Sequence, residues 1–229
     1  MTRSNATLAA YAFIITFVIS FPAATQERIN IHLWDQNGSS VSDAVISIDS
    51  AFLSANAYAD SDISVMDQVD MMFQPYVLVV NKNQRVSFPN SDNIRHHVYS
   101  FSKPKSFELR LYRGNETAPI EMSNAGVVEL GCNIHDDMRG FIFVNDMEYS
   151  VLTDTLGVAR YNISLPADTL KTATVWHPSL STSLGERKIV DLRRVSADLF
   201  EAVIDMTNAN EHVSNQGFIP KFSPSSGSK

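Results

Sequence analysis

Apolar and polar positions alternate with a period of two along most of this chain, the pattern of strands with one buried face. In "INIHLW" (29–34), Ile29, Ile31 and Leu33 share one face. The turn cluster "DQNGSSVSD" follows, and "AVISI" (44–48) returns, so the two segments read as a hairpin around an Asn-Gly loop. Residues 50–65 are small, polar and unpatterned and read as a linker. Beyond them come "YVLVV" (76–80), "RVSF" (85–88), "HVYSF" (97–101), "FELRLY" (107–112), "GVVEL" (126–130) and "FIFV" (141–144). These are short, rich in β-branched and aromatic residues, and separated by the turn chemistry of "NKNQ", "PNSDN" and "SKPK". Short strands at such spacing predict a sandwich or barrel.

A third block contains "YSVLT" (149–153), the turn "DTLG" (154–157), "ARYNIS" (159–164), "TATVW" (172–176), "KIVDL" (188–192) and "FEAVIDM" (200–206). Within it, "RRVSADLFEAV" fits a short helix as well as a strand. The end, 208–229, is polar and rich in Ser, Asn, Gly and Pro, the composition of a disordered tail. The start differs from everything after it. Arg3 precedes an apolar run from Leu8 to Phe21, then the small residues Ala23, Ala24 and Thr25. That order predicts a secretory signal over 1–25 and an exported, periplasmic protein. The run is short for a membrane span, and no second long apolar run follows, so no stable span is expected after cleavage.

Charge and cysteine usage narrow the chemistry. The formal net charge is −7 and no Lys/Arg cluster stands out, which argues against a nucleic-acid partner. A single cysteine, Cys132, rules out an intramolecular disulfide. A lone thiol in an oxidising compartment calls for protection by burial or by a metal.

Cys132 sits in "GCNIHDDMRG" (131–140), three residues before His135 and six before Met138. Thiolate, imidazole and thioether together suit copper cycling between +1 and +2: a His2Cys plane with a weak axial Met is the blue-copper arrangement. Zinc also accepts Cys and His, but a thioether is a poor zinc ligand. A second imidazole has to come from elsewhere, and "NSDNIRHHVYSF" supplies His96 and His97. Neighbours on an extended chain face opposite ways, so one of the two can point at the Cys132 turn.

Three phrases, "MDQVDMMFQPYVLVV", "VSFPNSDNIRHHVYSFS" and "GVVELGCNIHDDMRGFIFV", resemble the plastocyanin/amicyanin class of cupredoxins. The whole chain is similar to the bacterial exported proteins labelled methylamine utilization proteins. The resemblance implies an all-β chain with a Greek-key copper sandwich over 61–146. It implies one type 1 (blue) copper held by His96, Cys132, His135 and Met138, with His135 nearest the surface as the electron port. His97 then stands where many cupredoxins carry Asn, and Asp136 stands where amicyanin-like loops often carry Pro, so a more flexible loop is expected. Asn90 and Asn133 are candidates to support the ligands. The flanking segments, 27–50 and 149–207, resemble a transthyretin or carboxypeptidase-regulatory-like sandwich, each with a D-x-x-G turn: "DQNG" (35–38) and "DTLG" (154–157). The copper segment then interrupts, or packs on, a second small sandwich.

One-electron transfer by an exported copper protein, with no bond chemistry of its own, is the reading that follows. A copper enzyme would need a further multi-histidine site, and no such cluster is seen in the sequence. The alternative is a copper carrier or recognition module without redox turnover. The expected partner is a redox protein, such as a c-type cytochrome or a dehydrogenase, steered by Asp136 and Asp137. Of the other histidines, His32 is expected to face solvent, His177 to be structural, and His212 to lie in the tail.

Overall fold

The computed structural model describes residues 28–49, 63–146, 148–163, 170–180 and 184–206; the predicted signal (1–25) and tail (208–229) lie outside these residues. The described chain is all strand and turn. The first part forms β1 (Ile29–Asp35), β2 (Val45–Asp49), β3 (Ser64–Val65), β4 (Asp67–Val69), β5 (Met72–Gln74), β6 (Val77–Asn81), β7 (Arg85–Ser87), β8 (His96–Phe101) and β9 (Ser106–Tyr112). Then come β10 (Ile120–Glu121), β11 (Gly126–Cys132), β12 (His135–Asn145), β13 (Glu148–Leu152), β14 (Val158–Tyr161), β15 (Thr172–Trp176), β16 (Lys188–Asp191), β17 (Arg193–Arg194) and β18 (Leu199–Ile204). Among the described residues, no helix is long and apolar enough to cross a membrane.

Residues from both ends of the described chain build one pair of sheets, in the orders β14-β1-β18-β17 and β13-β2-β15-β16. Ile31, Leu33, Ile46, Tyr161, Val175 and Phe200 meet between them in one apolar cluster. The alternation read from "INIHLW" does set the inward face of β1, with Ile29, Ile31 and Leu33 buried. The expected β1–β2 hairpin does not form. β1 pairs with β14 and β18, while β2 pairs with β13 and β15, so the Asn-Gly turn carries the chain from one sheet to the other. The reason is that β2 is buried on both faces: Ile46 and Ile48 point into this cluster and Val45 into another. A strand apolar on both sides needs partners on both edges and a layer above and below, which a two-strand hairpin cannot supply. The "RRVSADLFEAV" segment is not helical; it forms β17, a turn and β18.

The middle of the chain builds a five-stranded sheet, β6-β12-β11-β8-β9, facing a three-stranded one, β10-β7-β3, with the β4–β5 hairpin alongside. Met66, Phe73, Val86, Phe88 and Met122 meet Val98, Val128, Leu130 and Ile142 in the core between them. Cys132 and Met138 belong to that same cluster. Val77, Val127, Phe141 and Phe143, on the other face of the five-stranded sheet, pack against Val45 and Trp176 in a third cluster. Burying a ring of this size removes about 150–250 Å² from water, worth on the order of 5 kcal/mol each. This third cluster therefore fastens the two halves of the molecule together.

Candidate metal centre

His96 opens β8, Cys132 closes β11 and His135 opens β12, so three strand ends converge at one end of the three central strands of the five-stranded sheet. Strand alternation aims them. On β8, His96, Val98 and Ser100 point inward, while His97 and Tyr99 lie on the other face. On β11, Val128, Leu130 and Cys132 share the inward face. The pairing Cys132↔Val98 sets the two strands in register, and irregularities at Gly131/Cys132 and at His96/Val98 re-aim the side chains at the strand ends. Gly131 leaves room for the Tyr99 ring: a Cβ would sit 2.7 Å from it, so a larger residue would have to displace that ring. Asn133 and Ile134 form a two-residue turn, after which Cys132 pairs with His135.

Cys132 Sγ lies 3.5 Å from His96 Nδ1 and 3.7 Å from His135 Nδ1. One ligand atom from each of the three residues lies within 4.8 Å of the others. A shared first-row ion, about 2.3 Å from sulfur and about 2.0 Å from nitrogen, at angles between tetrahedral and trigonal, would place S and N about 3.5–3.7 Å apart. The donor set fits. A thiolate and two imidazole nitrogens are all donors that a single soft or borderline ion accepts together. His96 is fully buried and Cys132 is 3 % exposed, while His135 is partly exposed.

Asp92 faces the nitrogen of His96 that points away from Cys132. Its Oδ2 lies 2.7 Å from His96 Nε2. A carboxylate only accepts, so Nε2 carries a proton, and in the neutral ring this leaves the Nδ1 lone pair toward Cys132. Asp92 is itself held by the backbone N–H groups of Asp70, at 2.6 Å, and Met71, at 3.0 Å. Its carboxyl lies below the ordinary carboxylate range; burial works against ionisation, but the N–H groups of Met71, His96 and Asp70 outweigh it. Asn90, 3 % exposed, organises this loop: its amide donates to the Ile94 and Tyr112 carbonyls and its Oδ1 accepts the Asp92 N–H. Below it, the Tyr112 hydroxyl donates to the Phe88 carbonyl, and burial pushes its pKa up to about 12.

The other residues singled out from sequence fall as follows. Met138 is 2 % exposed and lies in the same apolar cluster as Cys132. His97 Nε2 approaches Glu108 Oε1 at 2.9 Å without hydrogen-bond geometry, and the His97 carbonyl accepts the Asn133 N–H at 3.1 Å. That backbone bond ties the ligand turn to β8. The Asn133 side chain is exposed, so only its N–H supports the site. Asp136 and Asp137 are exposed strand residues of β12. Asp92 was not singled out from sequence; its signal was a carboxylate four residues ahead of His96. His32 is only partly exposed, hydrogen-bonded to Ser40 Oγ and packed on Trp34 with ring centroids 3.7 Å apart. His177 Nδ1 accepts the Ser179 N–H at 3.0 Å, in a structural role.

No protein-family model matches the chain, and no curated protein sequence matches it. Among solved structures, the chain is similar to a copper-containing nitrite reductase from Thermus scotoductus SA-01, at 24 % identity and a TM-score of 0.36, over 41 % of this chain and 25 % of that one. It therefore spans about a quarter of the reductase chain. A variant of amicyanin in its reduced Cu(I) form is 19 % identical, over 45 % of this chain and 99 % of that one, with a TM-score of 0.33. A purple cupredoxin from Nitrosopumilus maritimus is 17 % identical, over 37 % of this chain and 100 % of that one, with a TM-score of 0.32.

Proposed function

We propose that this chain is an exported type 1 copper protein that passes single electrons, with His96, Cys132 and His135 as the equatorial ligands and Met138 as the weak axial one. The convergence of two imidazole Nδ1 atoms on one buried sulfur carries this reading. Copper bound there would supply a one-electron couple between +1 and +2. The chain's own residues do the rest. Cys132 offers a soft thiolate shielded from oxidants by burial, and Asp92 keeps the His96 proton on the outer nitrogen. The rigid strand ends hold the three donors at nearly fixed separations, so that a change of charge needs little rearrangement. The partly exposed His135 is the port for electrons, and exposed Asp136 and Asp137 beside it favour a partner with a basic face.

In the same reading, 61–146 is the copper unit, and 27–50 with 149–207 is a second sandwich that the copper unit interrupts. Contiguity of the first apolar cluster across residues 29–48 and 159–204 supports that division.

Loading the protein with Cu(II) tests the reading. An intense visible thiolate-to-copper band that bleaches with ascorbate and returns with oxidant is expected, and Cys132→Ser should abolish it while the far-UV spectrum of the fold is kept. Colourless tight Cu(I) binding would favour a copper carrier instead. Tight zinc with no copper binding would end the blue-copper reading.

A further inference from the structure

The tip of the β4–β5 hairpin has an unfavourable backbone. Asp70 and Met71 are non-glycine residues at φ +53° and +59°, both in the left-handed region. Two-residue hairpin turns with two positive φ values are the usual place for Asn-Gly, because a Cβ disfavours this conformation. Side-chain packing does not compensate here: the Asp70 side chain is exposed and Met71 is 51 % exposed. What the conformation does achieve is to aim two successive N–H groups at the carboxylate of Asp92. The same carboxylate accepts the hydrogen bond of His96 Nε2–H. At its base, the hairpin is anchored by Phe73, 2 % exposed, against β12. The approach there is close enough that a Cβ at Gly140 would lie 2.7 Å from that of Phe73. One small element thus contacts the strand that carries His135 and, through Asp92, the ring of His96.

We infer that the β4–β5 hairpin positions the His96 ring: its left-handed tip fixes Asp92, and Asp92 is a positioning residue that fixes the tautomer and orientation of His96. The inference rests on the reading of His96 as a ligand. It assigns a purpose to a strained turn that the packing of its own side chains leaves unexplained. It also makes an exposed surface feature part of the metal centre's support, so that whatever bends the tip also moves a ligand.

Three measurements test this. The first needs no metal: in the apo protein, ¹⁵N shifts of the His96 ring should report the Nε2–H tautomer, and Asp92→Asn should turn it into a mixture. The second is copper loading, in which Asp92→Asn should bind Cu(II) about 10–100-fold more weakly, with the thiolate-to-copper band displaced. The third uses the unaltered chain. By reciprocity, Cu(I) should slow hydrogen exchange at the Asp70 and Met71 amides by a similar factor of about 10–100, with no such change at Leu156 in the other sheet pair. The double variant Asp70→Asn/Met71→Gly keeps both N–H groups and removes the strain, so it should retain the wild-type band and affinity. An unchanged tautomer and band in Asp92→Asn, or exchange at Asp70 and Met71 that ignores copper, overturns the inference while the copper reading stands. Absence of any copper band in the unaltered protein sinks both.

Discussion

The two halves of the molecule hold their turns in opposite ways. In the half built from the ends of the described chain, each D-x-x-G turn closes on itself. Asp35 Oδ1 accepts the N–H groups of Asn37 and Ser39, and Asp154 Oδ1 accepts those of Leu156 and Val158. In the half that carries Cys132, the loop before β8 has local bonds from Asn90 but is also tied to distant residues: Asp92 to Asp70 and Met71, Asn90 to Tyr112, and Ser91 to Asp67 and Gln68. Buried polar side chains follow the same division. Among the described residues, Gln68, Asn90, His96, Ser100 and Asn145 lie in the half that carries Cys132, against Ser47 and Thr153 in the other. Local turns make a stable scaffold from nearest neighbours. A site that must hold three donors at a fixed separation needs contacts from several strands at once, and most of the buried polar atoms there are hydrogen-bonded, Gln68 Oε1 being an exception.

The largest effect should come from breaking what joins the halves. Trp176→Ala removes the ring on which Phe141 and Phe143 pack, at 5.8 and 5.7 Å between centroids. A loss of about 3–5 kcal/mol is expected. Calorimetry should then show two transitions in place of one, and a single sharp transition at unchanged temperature would count against the shared cluster.

Glycine substitutions sharpen the comparison at an intermediate scale. Gly157 combines φ +74° with backbone atoms 2.9 and 3.0 Å from where a Cβ would be, so Gly157→Ala should cost about 1–3 kcal/mol in denaturant titration while leaving copper binding untouched. Gly140→Ala meets Phe73 at 2.7 Å and should cost a similar amount, about 1–3 kcal/mol, but should also shift the thiolate-to-copper band. If both variants moved the band equally, the division between scaffold and site would fail.

Smaller still is Asp35→Ala, which removes two turn hydrogen bonds on an exposed loop and should cost about 1 kcal/mol in the same titration. The smallest effect is a pH dependence at His177. Burial lowers its pKa, with the Asp43 charge and a Ser42 backbone bond working the other way. Above its ordinary value of 6.5, both folded and unfolded forms are neutral and the residue makes no difference. As pH falls below 6.5, the unfolded chain takes up a proton that the folded chain resists, so stability declines. Denaturation midpoints at about pH 7.5 and 5.5, on either side of the ordinary histidine range, should differ in the wild type and converge in His177→Gln.

Much of the strand pattern was readable because alternation is a local property. Each of "YVLVV", "HVYSF", "GVVEL" and "TATVW" coincides with a strand of the structure to within about two residues, the usual boundary scatter. Pairing was not readable. The Asn-Gly turn after β1 looked like a hairpin, and only the double-sided burial of β2 shows why the chain changes sheet. The ambiguity of "RRVSADLFEAV" is resolved by the parallel pairing of β18 with β1, a contact across 169 residues at the Asn30↔Leu199 register.

At the site, the amino-acid sequence by itself determined which donors are near each other in the chain: a thiolate, an imidazole and a thioether within seven residues. It also determined, through alternation, that His96 and His97 point apart. Only the tertiary structure decided that His96 is the one facing Cys132, that its Nε2–H donates to Asp92, and that a strained hairpin stands behind that carboxylate. Side-chain chemistry and strand phase are set by neighbours along the chain. Convergence depends on which strands pair and where their register slips, and that is fixed by burial summed over the whole molecule.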